Sequence, residues 1–132
     1  MANLFSLSEA ASIALHGVIL IAKENGGLNV IKIAERTDTS KHHVAKVMQR
    51  LVKAGFLTSQ RGPSGGFLLK KDPASITFLD IYENIEGPIE VSDCPMDKQI
   101  CPFDKCIIDN VTNKMTIEFR NFLSNQTIDK YL

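Results

Sequence analysis

The apolar pattern of this chain changes its period at Gly55, and this change limits the folds that the chain can adopt. Three segments before Gly55 carry apolar residues at the spacing of amphipathic helices: 8–24, 31–36 and 41–54. Two short apolar segments after it are strand candidates: 56–60 and 67–70. A chain with this order is predicted to be mainly α-helical, with one small β-hairpin after the third helix.

Residues 31–54 are predicted to form two helices joined by a tight turn. Ser40 is the expected N-cap of the second of these helices, and Gly55 ends it as a C′ glycine. Such a unit is a helix-turn-helix, whose second helix lies in the major groove of DNA. Its outward side chains are of the types that contact base edges and phosphates: Lys41, His42, His43, Lys46, Gln49 and Arg50. The alternative for the two histidines is that they are ordinary solvated surface residues and do not contact DNA.

The loop between the two strand candidates is rich in glycine. Its sequence, Arg-Gly-Pro-Ser-Gly-Gly at 61–66, is typical of a compact hairpin loop that approaches another backbone closely. After a helix-turn-helix, such a hairpin is predicted to be the wing of a winged-helix head. Arg61 at the base of the wing is placed to enter a narrow minor groove, with Gly62 and Ser64 beside it. A phosphate-binding loop of the Walker type is excluded, because its Gly-Lys-Ser/Thr ending and its following helix are lacking.

Charge is distributed unevenly along the chain, although the net charge is zero. Residues 32–71 hold nine Lys and Arg against two acidic residues, a net charge of +7. Residues 72–132 hold five basic and eleven acidic residues, a net charge of −6. A concentrated positive segment is expected of a protein that binds the phosphate backbone of DNA. Without the helix-turn-helix, the simpler interpretation would be a solvated basic helix face.

The C-terminal half is predicted to contain two more helices separated by a loop. Thr77 caps a fourth helix that ends at Gly87, and residues 88–104 form a proline-containing loop. A long helix then runs from Lys105 to Leu123. Its apolar stripe needs a partner surface, for which a second copy of the chain is the simplest source; packing on its own domain is the alternative. The predicted organisation is a DNA-binding head, a cysteine-rich loop and a dimerisation helix with its tail: 1–87, 88–106 and 105–132.

Three cysteines lie within thirteen residues of the C-terminal half: Cys94, Cys101 and Cys106. Thiolates this close in sequence are typical of a soft-metal site, and an iron–sulfur cluster is the favoured interpretation. Zinc and a metal-free thiol redox switch are the alternatives. An odd number of cysteines without an export signal predicts a reducing cytoplasm. The apolar run at 13–22 is too short to span a membrane.

Several motifs of the chain match one bacterial family. They are Ile-Ala-Glu-Arg at 33–36, Ser40, Leu-Val-Lys-Ala-Gly-Phe-Leu at 51–57, Ser-Gln-Arg-Gly-Pro-Ser-Gly-Gly-Phe at 59–67, and shorter matches at 76–77, 80–81 and 86–88. The chain resembles the winged-helix transcriptional regulators that include the iron–sulfur biogenesis repressor IscR, the nitric-oxide sensor NsrR and the cysteine-metabolism regulator CymR. Within this family it is similar to the cluster-binding branch with three cysteines. The resemblance covers nearly the whole chain.

The resemblance implies roles for individual residues. DNA-contacting roles carry over to Ser40, His43, Lys46 and Arg61. His43 stands where tyrosine is common in the family, and the cysteine spacing is six and four intervening residues where five and five is common. For a fourth cluster ligand there are two candidates. Asp109 lies three residues after Cys106 on the same predicted helical face, and His16 lies on the first helix and is donated across a dimer. For each, the alternative is an ordinary surface or core residue.

The motifs and the resemblance together predict a homodimeric, cytoplasmic transcription factor that does not contact membranes. An iron–sulfur cluster of the 2Fe–2S or 4Fe–4S type is expected to control its affinity for double-stranded operator DNA with two half-sites. The signal is redox state, nitric oxide or iron–sulfur supply. The alternatives are a regulator with a thiol switch or a structural zinc site, and a small electron-transfer protein. No enzymatic activity is expected, since the sequence shows no catalytic triad, paired carboxylates or nucleotide-binding motif.

Overall fold

The computed structural model of the chain describes residues 1–24, 27–62, 65–92, 94, 96 and 100–132. Within these residues the chain forms five α-helices and one two-stranded sheet. The helices are α1 Glu9–Lys23, α2 Val30–Thr37, α3 Lys41–Lys53, α4 Phe78–Glu86 and α5 Val111–Asn125, and the strands are β1 Leu57–Gln60 and β2 Gly66–Leu69. The prediction of a mainly α-helical chain with a small β wing is confirmed. None of the described helices is long and apolar enough to cross a membrane.

Polar side chains fix the starts of the first three helices. The side-chain oxygens of Ser8, Asn29 and Ser40 accept hydrogen bonds from backbone N–H groups in the first turns of α1, α2 and α3. At the other end of α3, Gly55 has a φ of +87°, a left-handed conformation that glycine adopts without strain. The predicted boundaries of α3 are therefore confirmed, because both its N-cap and its terminating glycine act as expected.

Thr77 and Asp80 form a reciprocal capping box at the start of α4. Thr77 Oγ1 accepts from the N–H of Asp80 at 3.0 Å, and Asp80 Oδ2 accepts from the N–H of Thr77 at 3.1 Å. We expect Thr77→Ala to lower the free energy of unfolding by about 1 kcal/mol, because one of these two bonds is lost. Urea unfolding measures the change. Thr77→Ser keeps the hydroxyl and is the control; an equal loss in both variants would contradict the capping role.

The core of the head lies between α1, α3 and the wing. The inner face of α3 is fully buried, as its spacing predicts: Val44, Val47, Met48 and Leu51. These residues belong to one apolar cluster with Ile13 and Val18 of α1 and with Leu57 of β1. Because this face of α3 is occupied by the core, the opposite face is turned towards solvent.

The wing is joined to the loop between α1 and α2. β1 and β2 pair in antiparallel fashion, with Gln60 opposite Gly66. Leu28 and Phe67 exchange two backbone hydrogen bonds, of 3.1 and 2.9 Å, so that the loop continues the pairing of the hairpin. A Cβ atom placed on Gly66 would lie 2.7 Å from the carbonyl carbon of Leu28. Gly66 therefore permits the close approach that attaches the wing to the head.

α5 begins at Val111, six residues after the predicted start at Lys105. Asp109 and Asn110 both adopt the left-handed conformation, with φ of 52° and 53°, which a right-handed helix does not contain. The N–H of Asp109 donates to the carbonyl oxygen of Cys106 at 3.1 Å and closes a turn. The predicted N-terminal end of this helix is therefore wrong, and Asp109 does not share a helical face with Cys106.

α5 packs on the head through part of its surface. Phe119 lies between the rings of Phe5 and Tyr82, whose centroids are 4.7 and 5.6 Å away. Leu123 is the buried residue of α5, and Ile128 is buried where the chain returns to the head. The remaining apolar side chains of α5 and of the turn before it are exposed: Ile107, Ile108, Val111, Met115, Ile117 and Phe122.

Candidate nucleic-acid interface and cysteine segment

α2 and α3 form a helix-turn-helix with one polar face in solvent. The exposed residues of α3 on this face are Lys41, His42, Lys46, Gln49 and Arg50, and His43 is half-buried. Asp38 closes the turn before α3 in the left-handed conformation, with a φ of 52°. Ser40 Oγ accepts from the N–H groups of His42 and His43 at 3.2 and 3.4 Å, and its own O–H can still donate to a phosphate. The face therefore combines positive charge with hydrogen-bond donors, as a recognition helix requires.

His43 contacts an acidic residue that lies outside the predicted interface. Its Nδ1 lies 2.6 Å from Oε1 of Glu9, in the first turn of α1. The contact connects the first turn of α3 to the first turn of α1. The side chain of Glu9 is 61% exposed, so a carboxylate lies beside the face that is expected to meet phosphates. No local pattern predicts this contact, because the two residues are 34 positions apart.

Arg50 contacts the end of α4, a partner that the sequence pattern did not predict. Its Nη2 donates to the backbone carbonyl oxygens of Asn84 and Ile85, both at 3.0 Å. These carbonyls belong to the last turn of α4, where backbone acceptors lack a partner within the helix and a nearby cation is favourable. Arg50 is exposed on the same face as Lys46, and its predicted DNA contact stays a prediction.

The wing presents Arg61 at its exposed end. Arg61 and Gly62 are both exposed, and Gly62 has a φ of +111°. The N–H of Gly65 donates to the carbonyl oxygen of Gly62 at 2.9 Å, which closes the hairpin loop. Ser64, a predicted DNA contact, lies outside the described residues. Arg61 is therefore carried at the exposed end of a short hairpin that follows α3.

The three cysteines lie between α4 and α5, in residues 87–110, which we call the cysteine segment. Cys94 and Cys106 are half-buried, Cys101 is exposed, and all three are free thiols. Cys106 and Asp109 line an open depression of about 590 Å³. Among the described residues, no group of three or more potential metal ligands is assembled. Three thiols fit the chemistry of an iron–sulfur cluster or another soft-metal centre, but the segment must close around it, as metal sites often do on binding.

The two candidates for a fourth ligand lie in different parts of the chain. Asp109 is next to Cys106; its carboxylate is 84% exposed and lies 3.3 Å from Nζ of Lys114. His16 lies on α1, with Nδ1 2.7 Å from the carbonyl oxygen of Ser12. Because a carbonyl oxygen only accepts, this contact places a proton on Nδ1, and the neutral form of the ring would have its lone pair on Nε2 for a metal. Within one chain, Asp109 is the candidate that lies beside a cysteine.

One known family matches the head and the cysteine segment together. The sequence model of the Rrf2 family, described as iron-dependent transcriptional regulators, matches residues 7–132. The chain belongs to this family. The resemblance found from the sequence motifs is therefore confirmed. Because the family consists of transcriptional regulators, this Rrf2-family chain is a transcriptional regulator, and its winged-helix head implies DNA binding.

Individual relatives agree with this assignment. The chain is similar to the HTH-type transcriptional regulators IscR of Klebsiella pneumoniae (strain 342) and Escherichia coli O1:K1 / APEC. Each is 27% identical over 110 residues, which cover 83% of this chain and 68% of the relative. Among solved structures, CymR, the global cysteine regulator of B. subtilis, has a TM-score of 0.77 at 24% identity and covers 96% of this chain and 95% of its own. IscR of T. potens has a TM-score of 0.72 at 22% identity, with 96% and 85% covered.

Proposed function

We propose that the chain is a homodimeric regulator whose affinity for operator DNA is set by an iron–sulfur cluster held by Cys94, Cys101 and Cys106. The observation that carries this proposal is the place of the three thiols in the fold. They lie between α4, which packs on α1 and α3 of the head, and α5, which exposes an apolar face. A ligand that orders this segment favours one arrangement of the two helices over others, and so shifts the population of the whole chain.

The beginning of the cysteine segment is bound to both flanking helices. The N–H of Ile89 donates to Oε2 of Glu83 in α4 at 2.7 Å. The side-chain amide of Asn113 in α5 donates to the carbonyl oxygen of Ser92 at 3.2 Å. The described residues between α4 and α5 form no helix or strand. All three cysteines lie between Ser92 and the start of α5, so closing the thiols around a cluster moves backbone that is bound to both helices.

The three thiolates leave one ligand position for a weaker donor. Asp109 is the first choice, and Nε2 of His16 from a second copy of the chain is the other. When bound, an iron–sulfur cluster supplies iron that responds to oxidants, nitric oxide and iron supply. A carboxylate or imidazole that is held loosely suits such a sensor, because the iron it binds is the most accessible one. Asp109 is exposed enough to turn from Lys114 towards the cysteines.

The exposed apolar face of α5 supports a dimer. Val111, Met115 and Phe122 are exposed on this helix, and a groove of about 540 Å³ runs beside them between α4, α5 and the N-terminal residues. Phe5 and Phe119 line the groove. Apolar patches of this kind mark interaction sites, and a two-fold axis lets two copies of α5 cover each other.

Each head is proposed to place α3 in a major groove and its wing in the adjacent minor groove. In a dimer the two half-sites then lie about 34 Å apart, or a multiple of that distance. The proposed DNA contacts come from the start of α3, its exposed face and the wing: Ser40, Lys41, His42, His43, Lys46, Arg61, Gly62 and Ser64. Arg50 is not among them, because its guanidinium binds α4.

Purification under nitrogen, followed by reconstitution with ferrous iron and sulfide, tests the proposal. We expect visible cluster absorbance in the wild type and its loss in Cys101→Ala, because two remaining thiolates hold a cluster poorly. DNA fragments selected from random sequence by the protein then report Kd for the iron-loaded and metal-free forms. The two Kd values should differ by a factor of roughly 5 to 150 in the wild type and should be equal in Cys101→Ala.

Met96→Ala is the matched control for this experiment. Met96 is an exposed, sulfur-containing residue of the same segment, but its thioether is not a thiolate. The variant should keep both the absorbance and the wild-type ratio of Kd values. A colourless wild type that binds DNA with one Kd under all conditions contradicts the proposal, and stoichiometric zinc in place of iron would identify a structural zinc site.

The exposure of Cys101 favours a second candidate, regulation by thiol oxidation without metal. An accessible thiol is open to oxidants once it is deprotonated. In this case, hydrogen peroxide changes the Kd of metal-free protein for DNA, and mass spectrometry finds the oxidised sulfur at Cys101. If peroxide leaves that Kd unchanged, the second candidate is excluded and the first is unaffected.

A further inference from the structure

The last turn of α4 is bound by side chains from two other helices of the head. Arg50 of α3 donates from Nη2 to the carbonyl oxygens of Asn84 and Ile85, at 3.0 Å each. Ser8, the N-cap of α1, donates its hydroxyl to Oε1 of Glu86. We call these last residues of α4, 83–86, the α4 junction. The junction is therefore a point where the recognition helix, the first helix and the fourth helix meet.

The cysteine segment leaves the head directly at the α4 junction. Gly87, the residue after α4, has a φ of +90° and turns the chain out of the helix. Two residues later, the N–H of Ile89 is bound by the carboxylate of Glu83 at 2.7 Å. The first residues of the segment are thus fixed to the same turn that Arg50 binds. A displacement of the segment reaches that turn without passing through the apolar core.

The α4 junction reaches both ends of the recognition helix. Arg50 lies in the last turn of α3 and contacts the junction directly. The first turn of α3 is reached through α1, because Ser8 binds Glu86 and the next residue, Glu9, lies 2.6 Å from Nδ1 of His43. A shift or rotation of the last turn of α4 therefore acts on α3 at two points, which sets its tilt.

We propose that Arg50 is the positioning residue that couples the cysteine segment to the recognition helix. This inference rests on the proposed function. It names the contact through which a change in the cysteine segment reaches α3. Arg50 suits the role because one nitrogen donates both of its hydrogens to two neighbouring carbonyls, which fixes the direction of α3 relative to α4. Those carbonyls have no partner within α4, so the bond competes with solvent and not with the helix.

Arg50→Met tests the coupling. Methionine matches the unbranched aliphatic part and the helix propensity of arginine but has no donor. The measurements are Kd for selected DNA with iron- and sulfide-reconstituted protein and with metal-free protein, each over a range of salt concentrations. We expect the ratio of the two Kd values to fall from its wild-type value to less than about 5, the lower end of usual allosteric coupling. The slope of log Kd against log salt for the metal-free form should stay at its wild-type value.

Lys53→Met is the matched control, because it removes the same charge from the same helix. Lys53 is exposed in the last turn of α3, and within the described part of the chain no hydrogen bond from its side chain is present. This variant should keep the wild-type ratio of Kd values. A second variant, Arg50→Lys, keeps the charge but is too short to reach both carbonyls. Its ratio of Kd values should fall as well, and its slope of log Kd against log salt should stay at the wild-type value. It also decides the question if Arg50→Met does not fold.

The outcomes separate the possible roles of Arg50. In one outcome, the ratio of Kd values is unchanged and the salt slope is lower by about 0.9 for each phosphate that the variant no longer neutralises. This result would assign Arg50 to the DNA interface and overturn the coupling. An unchanged ratio with an unchanged slope would leave Arg50 a purely structural residue and also overturn it. If the iron-loaded and metal-free forms of the wild type have equal Kd values, the proposed function and the coupling are both excluded. In the first two outcomes, the proposed function stands.

Discussion

Gly66→Ala is expected to destabilise the chain by about 2 to 6 kcal/mol, a large part of the stability of a small domain. Its Cβ atom would lie 2.7 and 2.8 Å from the carbonyl carbon and oxygen of Leu28, which are backbone atoms and cannot rotate away. The strand must therefore move from Leu28, and the two hydrogen bonds that Leu28 exchanges with Phe67 are lost. The wing is then released from the loop between α1 and α2.

Gly55→Ala provides the contrasting control for this prediction. At Gly55 the backbone has a φ of +87°, but a Cβ atom would meet nothing within 4 Å. The expected cost is about 1–2 kcal/mol, from the left-handed conformation alone. Urea unfolding compares the two variants, and amide hydrogen exchange at Leu28 and Phe67 reports the release of the wing. Equal destabilisation of both variants, with protected amides at Leu28 and Phe67, would show that the close approach at Gly66 is not tight.

The recognition helix could be predicted from the sequence because its determinants are local. Ser40 and Gly55 mark its ends by their own chemistry, and the burial of Val44 and Leu51 follows from helical spacing. Helical spacing also placed Arg50 on the outward face, but it did not predict the contact of Arg50 with α4. Its acceptors lie 34 and 35 positions later in the chain, and the pattern of one helix contains no information about the end of another.

The predicted start of α5 was wrong for a different reason. The apolar residues Ile107 and Ile108 extend the stripe of α5 backwards, so the helical period continues past the true N-terminus. Asp109 and Asn110 interrupt it in the left-handed conformation, which short polar side chains adopt more readily than others. The Asp-Asn pair was a local signal for a turn, and the apolar period outweighed it in the prediction.

The cysteines show which properties of a site a spacing pattern can predict. Their proximity in sequence predicts the kind of metal that three thiolates prefer. It does not predict how the thiolates are arranged, because the described residues of the segment lack the hydrogen-bond period of a helix or strand. In such a segment, the ligand itself contributes the energy that orders the site. Tests of the cysteines therefore need measurements on iron-loaded protein.

Lys46→Glu is expected to weaken operator binding at least a hundredfold at about 0.1 M salt. Lys46 is exposed on α3 and lies on the face opposite the buried residues Val47 and Leu51. A hydrogen bond to a charged group contributes about 1.5–3 kcal/mol, and a dimer loses two of them, so the loss is about 3 kcal/mol or more. Reversal of the charge adds repulsion from the phosphates.

The salt dependence of binding provides the sharper measurement for this variant. If Lys46 neutralises a phosphate in each half-site, the slope of log Kd against log salt falls by about 1.8 for the dimer. Lys130→Glu, outside the basic segment 32–71, makes the same charge change in an exposed residue and should leave the slope unchanged. Equal losses in both variants would assign the effect to net charge alone. A Lys46→Glu protein with wild-type slope and affinity would place the DNA on another face of the head, because α3 cannot occupy a major groove without its central outward residue approaching the backbone or the bases.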